Sequence, residues 1–155
     1  MSTPEPTLFV ISNMRDFGGS ERSIAALLPH LAERAKVRVY VVNHRHYEDL
    51  NRLAGSNVTI VQLPRGNSLA ALVTTFRVLI ADILRERPTA LLANGHKGAF
   101  VLAVLNRLLF WKRLRCSVYV RDFDYYLLRW ILFAIPDARY FAPTQAIFEY
   151  PLYRR

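Results

Sequence analysis

Apolar residues in this chain follow two patterns that alternate from one end to the other. Short, nearly continuous apolar runs are typical of strands covered on both faces, and longer stretches with apolar residues every three or four positions are typical of amphipathic helices. Their alternation predicts a Rossmann-like, doubly wound α/β domain, with a mainly parallel sheet of about six strands and helices on both faces. The predicted strands are 8–11, 37–42, 58–63, 90–93, 116–120 and 139–142.

Predicted helices fill most of the segments between these strands. The clearest helix follows Ser68, a favourable N-cap, and ends before Pro88. Its apolar positions fit one helical stripe, which we expect to face the sheet. These positions are Leu69, Leu72, Val73, Phe76, Leu79, Ile80, Ile83 and Leu84. Further helices are predicted over 20–34, 99–109 and 125–135, with a short last helix from Thr144.

Two glycines end the loop between the first predicted strand and the first predicted helix. Gly18 and Gly19 have no Cβ, so a ligand can approach their backbone closely. Ser20 is a favourable N-cap, and the free N–H groups of the following helix favour an anion at the same place. The pattern therefore indicates a diphosphate site on Gly18, Gly19 and Ser20. A tight connection without a ligand is the alternative, because short glycine motifs are common.

Three loops follow predicted strands and are rich in glycine or charge: 15–20, 94–98 and 121–124. Ligands of parallel sheets bind beyond the carboxyl ends of the strands, so we expect these loops to meet at one edge. Asn94, Lys97 and Arg121 are therefore candidates for binding the substrate or a donor phosphate.

Composition narrows the class of protein. The chain has 155 residues, 52% of them hydrophobic, which suits one domain with its own core. Cys116 is the single cysteine and lies in a predicted strand, so we expect a core thiol in a reducing cytosol. The N-terminus lacks the features of a signal peptide, and no uncharged apolar run approaches the ~20 residues that span a bilayer. The net charge of +9, mostly from arginine, favours anionic partners.

The polar segment 43–55 predicts a solvated loop. Its two histidines, His44 and His46, raise the question of a metal site, but no third ligand is evident nearby. We therefore expect neither a metal nor an organic cofactor in this chain.

Several fingerprints of α/β enzymes are absent. The motifs G-x-G-x-x-G, G-x-x-x-x-G-K-[ST] and G-x-S-x-G do not occur, which argues against NAD enzymes, P-loop NTPases and esterases. A receiver domain needs an acidic cluster after the first strand, where Asp16 stands alone.

Several stretches resemble, in order, the N-terminal domain of a GT-B fold glycosyltransferase of family 4 (glycosyl transferase group 1). The resemblance begins with the GGSE turn, the helix containing ALLPHL and the strand VRVYVV. It continues through LLANGHKGA, VYVRDF and ARYFAPTQAIFEY, and so spans nearly the whole chain.

The resemblance implies half of a two-domain enzyme that transfers a sugar from a nucleotide-sugar donor with retention at the anomeric carbon. In that family the N-terminal domain chiefly holds the acceptor, and the C-terminal domain holds most of the donor through an E-x7-E-like motif. Residues 8–155 would be the acceptor-side domain, after a disordered N-terminus at 1–7. We expect no transfer from these residues alone. A glycan or lipid-linked acceptor of the cell envelope is the implied substrate.

The resemblance also implies roles for individual residues. Gly18 and Gly19 would offer N–H groups to the donor diphosphate, which suits an oxocarbenium-like transition state with a diphosphate leaving group. Asp122 occupies the acidic position of the family's His-Asp pair and is the candidate catalytic group. Arg121 stands where the family often has histidine, so His96 from the neighbouring loop is the candidate replacement. The alternatives are that Asp122 caps a helix and that His96 is an exposed loop residue.

Basic and aromatic residues are mixed over 107–115. This mixture suits the interface of an anionic membrane, which would place the protein at the inner face of a membrane in the cytoplasm. The other interpretation is that the apolar members belong to the core, with the charges in solvent. These members are Leu108, Leu109, Phe110 and Trp130.

A non-catalytic module that binds nucleic acid or acidic lipid is the alternative to a glycosyltransferase. The arginines are spread along the chain without a basic stripe, so we do not expect nucleic acid as a partner.

Overall fold

A computed structural model describes residues 6–12, 19–42, 44–52, 57–65, 68–112, 114–120, 135 and 137–141. The strands are β1 (Thr7–Ser12), β2 (Lys36–Val41), β3 (Val58–Gln62), β4 (Ala90–Asn94), β5 (Cys116–Tyr119) and β6 (Arg139–Phe141). The helices are α1 (Gly19–Ala32), α2 (His44–Asn51), α3 (Leu69–Glu86) and α4 (Gly95–Leu108), followed by a 3-10 turn at Phe110–Lys112. The strands form one parallel sheet in the order β3-β2-β1-β4-β5-β6, which confirms the predicted fold class.

In the part of the chain that the structure describes, two helices cover each face of the sheet. On one face, Val10 packs with Ile24 of α1 and Leu50 of α2. On the other face, Phe9 belongs to the cluster that contains Leu79 of α3 and several residues of α4. Because both faces are buried, the central strands are apolar without interruption.

A polar network fixes α3 on β2. Asp82 of α3 accepts hydrogen bonds from Arg38 Nη1 at 3.0 Å and from the Tyr40 hydroxyl at 2.9 Å. Arg85 donates to the other oxygen of Asp82 at 2.8 Å. Burial raises the pKa of Tyr40 well above its usual range, and the hydrogen bond to Asp82 adds to the effect. Tyr40 therefore keeps its proton and remains a donor to Asp82.

The buried stripe of α3 is narrower than the sequence predicts. The buried positions are Ala71, Thr75, Leu79 and Ile83, whereas Leu69, Leu72, Val73 and Leu84 are exposed. A helix meets a sheet along a single line, so apolar residues on either side of that line stay in solvent. The predicted cap is confirmed, since Ser68 Oγ accepts a hydrogen bond from the Ala71 N–H at 3.1 Å.

Two segments predicted as loops are wholly or partly helical. His44 to Asn51 forms α2, where the sequence predicts a solvated loop, and His46 is fully buried. Similarly, α4 begins at Gly95, inside the predicted loop 94–98. In α2 the buried positions His46 and Leu50 are four residues apart, which is the spacing of a helix. The segment as a whole is polar, and this polarity obscures the helical spacing.

Predictions for the two ends of the chain can be compared with the structure only in part. β1 begins at Thr7, which pairs with Lys36 although 1–7 was expected to be disordered. The predicted helices over 125–135 and from Thr144 lie outside the described residues, apart from buried Ile135.

Candidate functional site at the carboxyl edge of the sheet

The sheet order creates a topological switch point between β1 and β4. β1 pairs with β2 on one side and with β4 on the other. The helices that follow these two strands pack on opposite faces, α1 in one core cluster and α4 in the other. Ligands of open α/β sheets bind in the crevice that this arrangement opens beyond the strand ends. The candidate site therefore lies where Ser12 ends β1 and Asn94 ends β4.

Three polar side chains meet at this edge, and all three are fully buried. Asn94 Nδ2 donates a hydrogen bond to Ser12 Oγ at 3.2 Å, and Ser12 Oγ lies 3.5 Å from His46 Nε2. The three residues come from the end of β4, the end of β1 and the first turn of α2. Buried polar groups are costly unless they are hydrogen-bonded, so this cluster fixes the three elements relative to one another.

Asn94 retains an unused acceptor. Its Oδ1 has no hydrogen-bond partner among the residues that the structure describes, although the side chain is 0% exposed. Asn94 also precedes α4 without capping that helix through its side chain. Few buried acceptors in native proteins stay unsatisfied, so this atom suits a hydrogen-bond donor from water or from a small ligand group.

Two glycines bring the first turn of α4 against β1. Gly95 has a φ of 69°, a left-handed conformation that lets the chain pass directly from β4 into α4. A Cβ on Gly98 would lie 2.7 Å from the carbonyl oxygen of Ile11, so the helix can approach this closely only with glycine there. The same turn carries His96 and Lys97, both of which are half-buried.

The structure brings several of the predicted site residues to this edge. Asn94, His96 and Lys97 occupy the end of β4 and the start of α4. Gly19 and Ser20 are the first two residues of α1, which follows β1 and begins at the same edge. The predicted N-cap is wrong in detail, because the helix already includes Ser20 as its second residue.

The remaining predicted site residues, Gly18, Arg121 and Asp122, lie outside the described residues. Their roles therefore stay predictions. β5 pairs in parallel with β4, with Tyr119 opposite Asn94, so the strand before Arg121 ends at the same edge as the cluster.

The sequence-based reasoning missed Ser12 and His46. The signal for Ser12 is its position, since it is a hydroxyl residue directly after the apolar run of the first strand. The signal for His46 is its spacing of four residues from Leu50, the period of a helix that packs on a sheet.

The described part of the chain offers no metal site, no membrane-spanning helix and no reactive thiol. Within that part, no three His, Cys, Asp or Glu side chains are grouped to hold a metal ion, and no helix has the length and apolarity needed to cross a membrane. Cys116 is buried in β5, which confirms the predicted core thiol, and burial raises its pKa to about 11. Cys116 is therefore protonated and unreactive at neutral pH.

Sequence comparison finds no relatives, whereas structure comparison finds similar folds. No protein-family model and no curated protein sequence matches the chain. A PPC decarboxylase mutant complexed with pantothenoylaminoethenethiol is similar with a TM-score of 0.53 at 13% identity, over 90% of this chain and 83% of that one. Phytolacca americana UGT2, complexed with UDP-2fluoro-glucose and pterostilbene, is similar with a TM-score of 0.52 at 14% identity.

The similarity to UGT2 covers 88% of this chain but 34% of UGT2, so the chain spans about a third of that protein's length. At these levels of identity the comparisons establish a shared Rossmann-like fold, one version of which occurs in a UDP-glycosyltransferase. They do not assign the chain to family 4.

Proposed function

We propose that this chain is the acceptor-binding N-terminal domain of a retaining glycosyltransferase that uses a nucleotide-sugar donor. The observation that carries the proposal is the switch point between β1 and β4, where α1 and α4 both begin and where His96 and Lys97 are half-buried. The fold that the chain shares with UGT2, which is complexed with UDP-2fluoro-glucose, supports it. The resemblance of the GGSE turn and the VYVRDF segment to family 4 also supports it.

Two helix starts at one edge favour a negatively charged group between them. The first N–H groups of α1 and α4 have no partners within their helices, and they carry the positive ends of the helix dipoles. Lys97 adds a positive charge in the first turn of α4. In glycosyl transfer the departing group is a diphosphate, so such donors stabilise charge that grows in the transition state. We assign this role to Gly18, Gly19, Ser20, Lys97 and Arg121.

The acceptor is proposed to bind beside the first turn of α4. Asn94 is fully covered, so it acts by holding this turn on β1 through Ser12. His96 is only partly covered, and we propose that it hydrogen-bonds an acceptor hydroxyl, with Asp122 as the second catalytic candidate. The acceptor class that we propose is a glycan or lipid-linked sugar of the cell envelope.

Most contacts with the donor nucleotide are proposed to come from a second domain. In GT-B glycosyltransferases, sugar transfer takes place in a cleft between two Rossmann-like domains, and a single such domain forms one wall of that cleft. We therefore expect the 155 residues alone to bind ligands without turnover, and sugar transfer has to be measured on the complete natural protein. Its proposed location is the cytoplasm or the inner face of the membrane.

The decisive substitution for this proposal is Gly19→Val in the complete natural protein. A branched side chain at the start of α1 blocks close approach of a diphosphate, so transfer from a panel of radiolabelled nucleotide-sugars should fall at least about a hundredfold. Ala81→Val, at an exposed position in the second half of α3, adds a branched side chain away from the carboxyl edge and should leave transfer unchanged. Equal turnover by the wild type and Gly19→Val would remove the glycine turn from the mechanism.

A non-catalytic module that binds anions is the second candidate, favoured by the net charge of +9. Assays of sugar transfer and of anion binding distinguish this candidate from the glycosyltransferase. If the complete protein transfers no sugar from any nucleotide donor but binds DNA or acidic lipid with a steep salt dependence, the second candidate replaces the first.

A further inference from the structure

A cavity of about 1060 Å³ lies at the amino edge of the sheet, away from the candidate site. Its walls are the amino ends of β4, β5 and β6 and the carboxyl end of α4. Helix α4 has 14 residues, so its two ends are separated by about 20 Å. This cavity and the site at the carboxyl edge are therefore too far apart to hold the same small ligand.

Three exposed arginines line the cavity: Arg107, Arg115 and Arg139. Among the described residues that line it, Asp137 is the one carboxylate. The guanidinium group presents paired N–H donors that match phosphate oxygens, and the excess of positive charge here favours an anion. The lining also includes the apolar residues Leu114, Cys116, Ile135 and Ala138. We call this site the arginine cavity.

We call Phe110, which lines the arginine cavity, and Leu108, which follows the lining residue Arg107 in the chain, the apolar rim. Phe110 is 73% exposed and Leu108 is 47% exposed, whereas Leu109 between them is buried at 2%. The structure therefore contradicts the core interpretation for Leu108 and Phe110 and confirms it for Leu109, while Trp130 lies outside the described residues. Exposed apolar side chains next to basic ones are typical of surfaces that dock on anionic membranes.

We infer that the arginine cavity receives the phosphate headgroup of an anionic phospholipid while Phe110 and Leu108 enter the membrane interface. Charge complementarity argues for this occupant, because the described lining residues include three arginines and one aspartate, and the chain as a whole carries +9. The inference does not depend on the proposed glycosyl transfer. It anchors the domain by its amino edge and leaves the carboxyl edge about 20 Å from the contact with the lipid.

Vesicle sedimentation tests the arginines. We expect the chain to bind vesicles that contain phosphatidylglycerol and to ignore vesicles of phosphatidylcholine alone. Arg115→Gln combined with Arg139→Gln should weaken binding about 25-fold, from about fivefold for each charge near the surface. The matched control removes two exposed arginines elsewhere, Arg52→Gln with Arg77→Gln, and should weaken binding less than about threefold.

A second pair of variants tests the apolar rim. Phe110→Ser should weaken vesicle binding about tenfold, because an inserted aromatic ring loses its apolar contact. The control Leu69→Ser removes an equally exposed apolar side chain, 75% exposed, from α3 and should have no effect. Circular dichroism of all four variants should show an unchanged fold, since each substituted side chain is exposed.

Three outcomes would overturn the inference. Equal losses from the two arginine pairs would show that net charge alone draws the chain to the vesicle. Failure to bind phosphatidylglycerol vesicles would remove the membrane as a partner. Inorganic phosphate that shifts the guanidinium resonances of Arg115 and Arg139 in the absence of vesicle binding would assign the cavity to a soluble anion instead. No sugar transfer is measured, so none of these results bears on the proposed function.

Discussion

At the carboxyl edge of the sheet, Ser12, His46 and Asn94 are fully buried, and Ser12 lies within hydrogen-bond distance of the other two. The arginines of the arginine cavity at the amino edge are exposed instead. Both edges are polar, but the carboxyl edge lies at the switch point, where α2, β1 and β4 converge. Burial forces polar groups into fixed partnerships, since an unsatisfied buried group costs about 1–3 kcal/mol. Exposed arginines carry no such constraint and are available to a partner.

Because of this difference in burial, substitutions at the two edges should have different consequences. Substitutions at the carboxyl edge should lower the stability of the fold together with ligand binding, because the same contacts hold the elements and shape the site. Substitutions of the exposed arginines should change binding alone.

Gly98→Ala should be the most damaging small substitution. The added Cβ would lie 2.7 Å from the backbone oxygen of Ile11, so α4 must move away from β1. We expect a loss of about 3 kcal/mol, which outweighs the gain of about 1 kcal/mol in helix propensity, and a fall in Tm of about 10 °C. Gly95→Ala should cost about 1–2 kcal/mol through its φ of 69°. A Gly98→Ala variant as stable as the wild type would show that α4 does not pack this closely.

Removing the cluster at the carboxyl edge should cost somewhat less. Asn94→Ala removes the donor to Ser12 Oγ, so we expect a loss of about 1–3 kcal/mol in urea denaturation. Thr74→Ala is the matched control, because it removes an exposed hydrogen bond of 2.8 Å to the Ala70 carbonyl and should cost less than about 0.5 kcal/mol. Equal costs would mean that burial at the edge does not strengthen the cluster.

Stability should decline between pH 9 and pH 11 because of Cys116, which lines the arginine cavity but is 7% exposed. Burial raises its pKa to about 11, so over this range the unfolded thiol loses its proton while the folded one keeps it. The stabilising contribution of the buried, protonated thiol is therefore fully present below pH 9. The free energy of unfolding then falls by an amount on the order of 2 kcal/mol as the pH rises to 11.

The variant Cys116→Ala should lose this part of the decline while keeping the part due to Tyr40, whose pKa is also raised by burial. Urea denaturation at several pH values measures both slopes. If the two slopes coincide, the thiol is not shielded from solvent.

The smallest effect on stability is expected for Arg115→Gln with Arg139→Gln. Both side chains are exposed, so the free energy of unfolding should change by less than about 0.5 kcal/mol while vesicle binding falls. A loss of more than about 2 kcal/mol would show that these arginines hold the fold, and the contrast between the edges would then disappear.

The fold followed from the sequence because its signals are local. Apolar runs such as Leu8–Ile11 and the cap at Ser68 each depend on neighbours along the chain, and the structure contains the predicted six-stranded sheet. The width of the buried stripe on α3 did not follow, since Leu69 and Val73 are as apolar as Leu79 and only packing on the sheet separates them.

The candidate site was predictable only in part. Asn94, His96 and Lys97 were found because they follow a predicted strand and precede a helix. The pairing of Ser12 with Asn94 joins residues 82 positions apart, and that of Ser12 with His46 joins residues 34 apart. Contacts at such separations depend on strand order, which apolar periodicity does not encode.

The most direct test of the proposed site is a titration of the isotope-labelled chain with UDP-glucose, followed by amide resonances. We expect saturable chemical-shift changes at Gly19 and Ser20 and over 95–97, at millimolar ligand, because one domain supplies only part of the donor contacts. We also expect the amides of 107–112, 114 and 115 at the amino edge to keep their chemical shifts. Shifts confined to the amino edge, or no shifts at the starts of α1 and α4, would contradict the claim that the switch point binds a nucleotide-sugar.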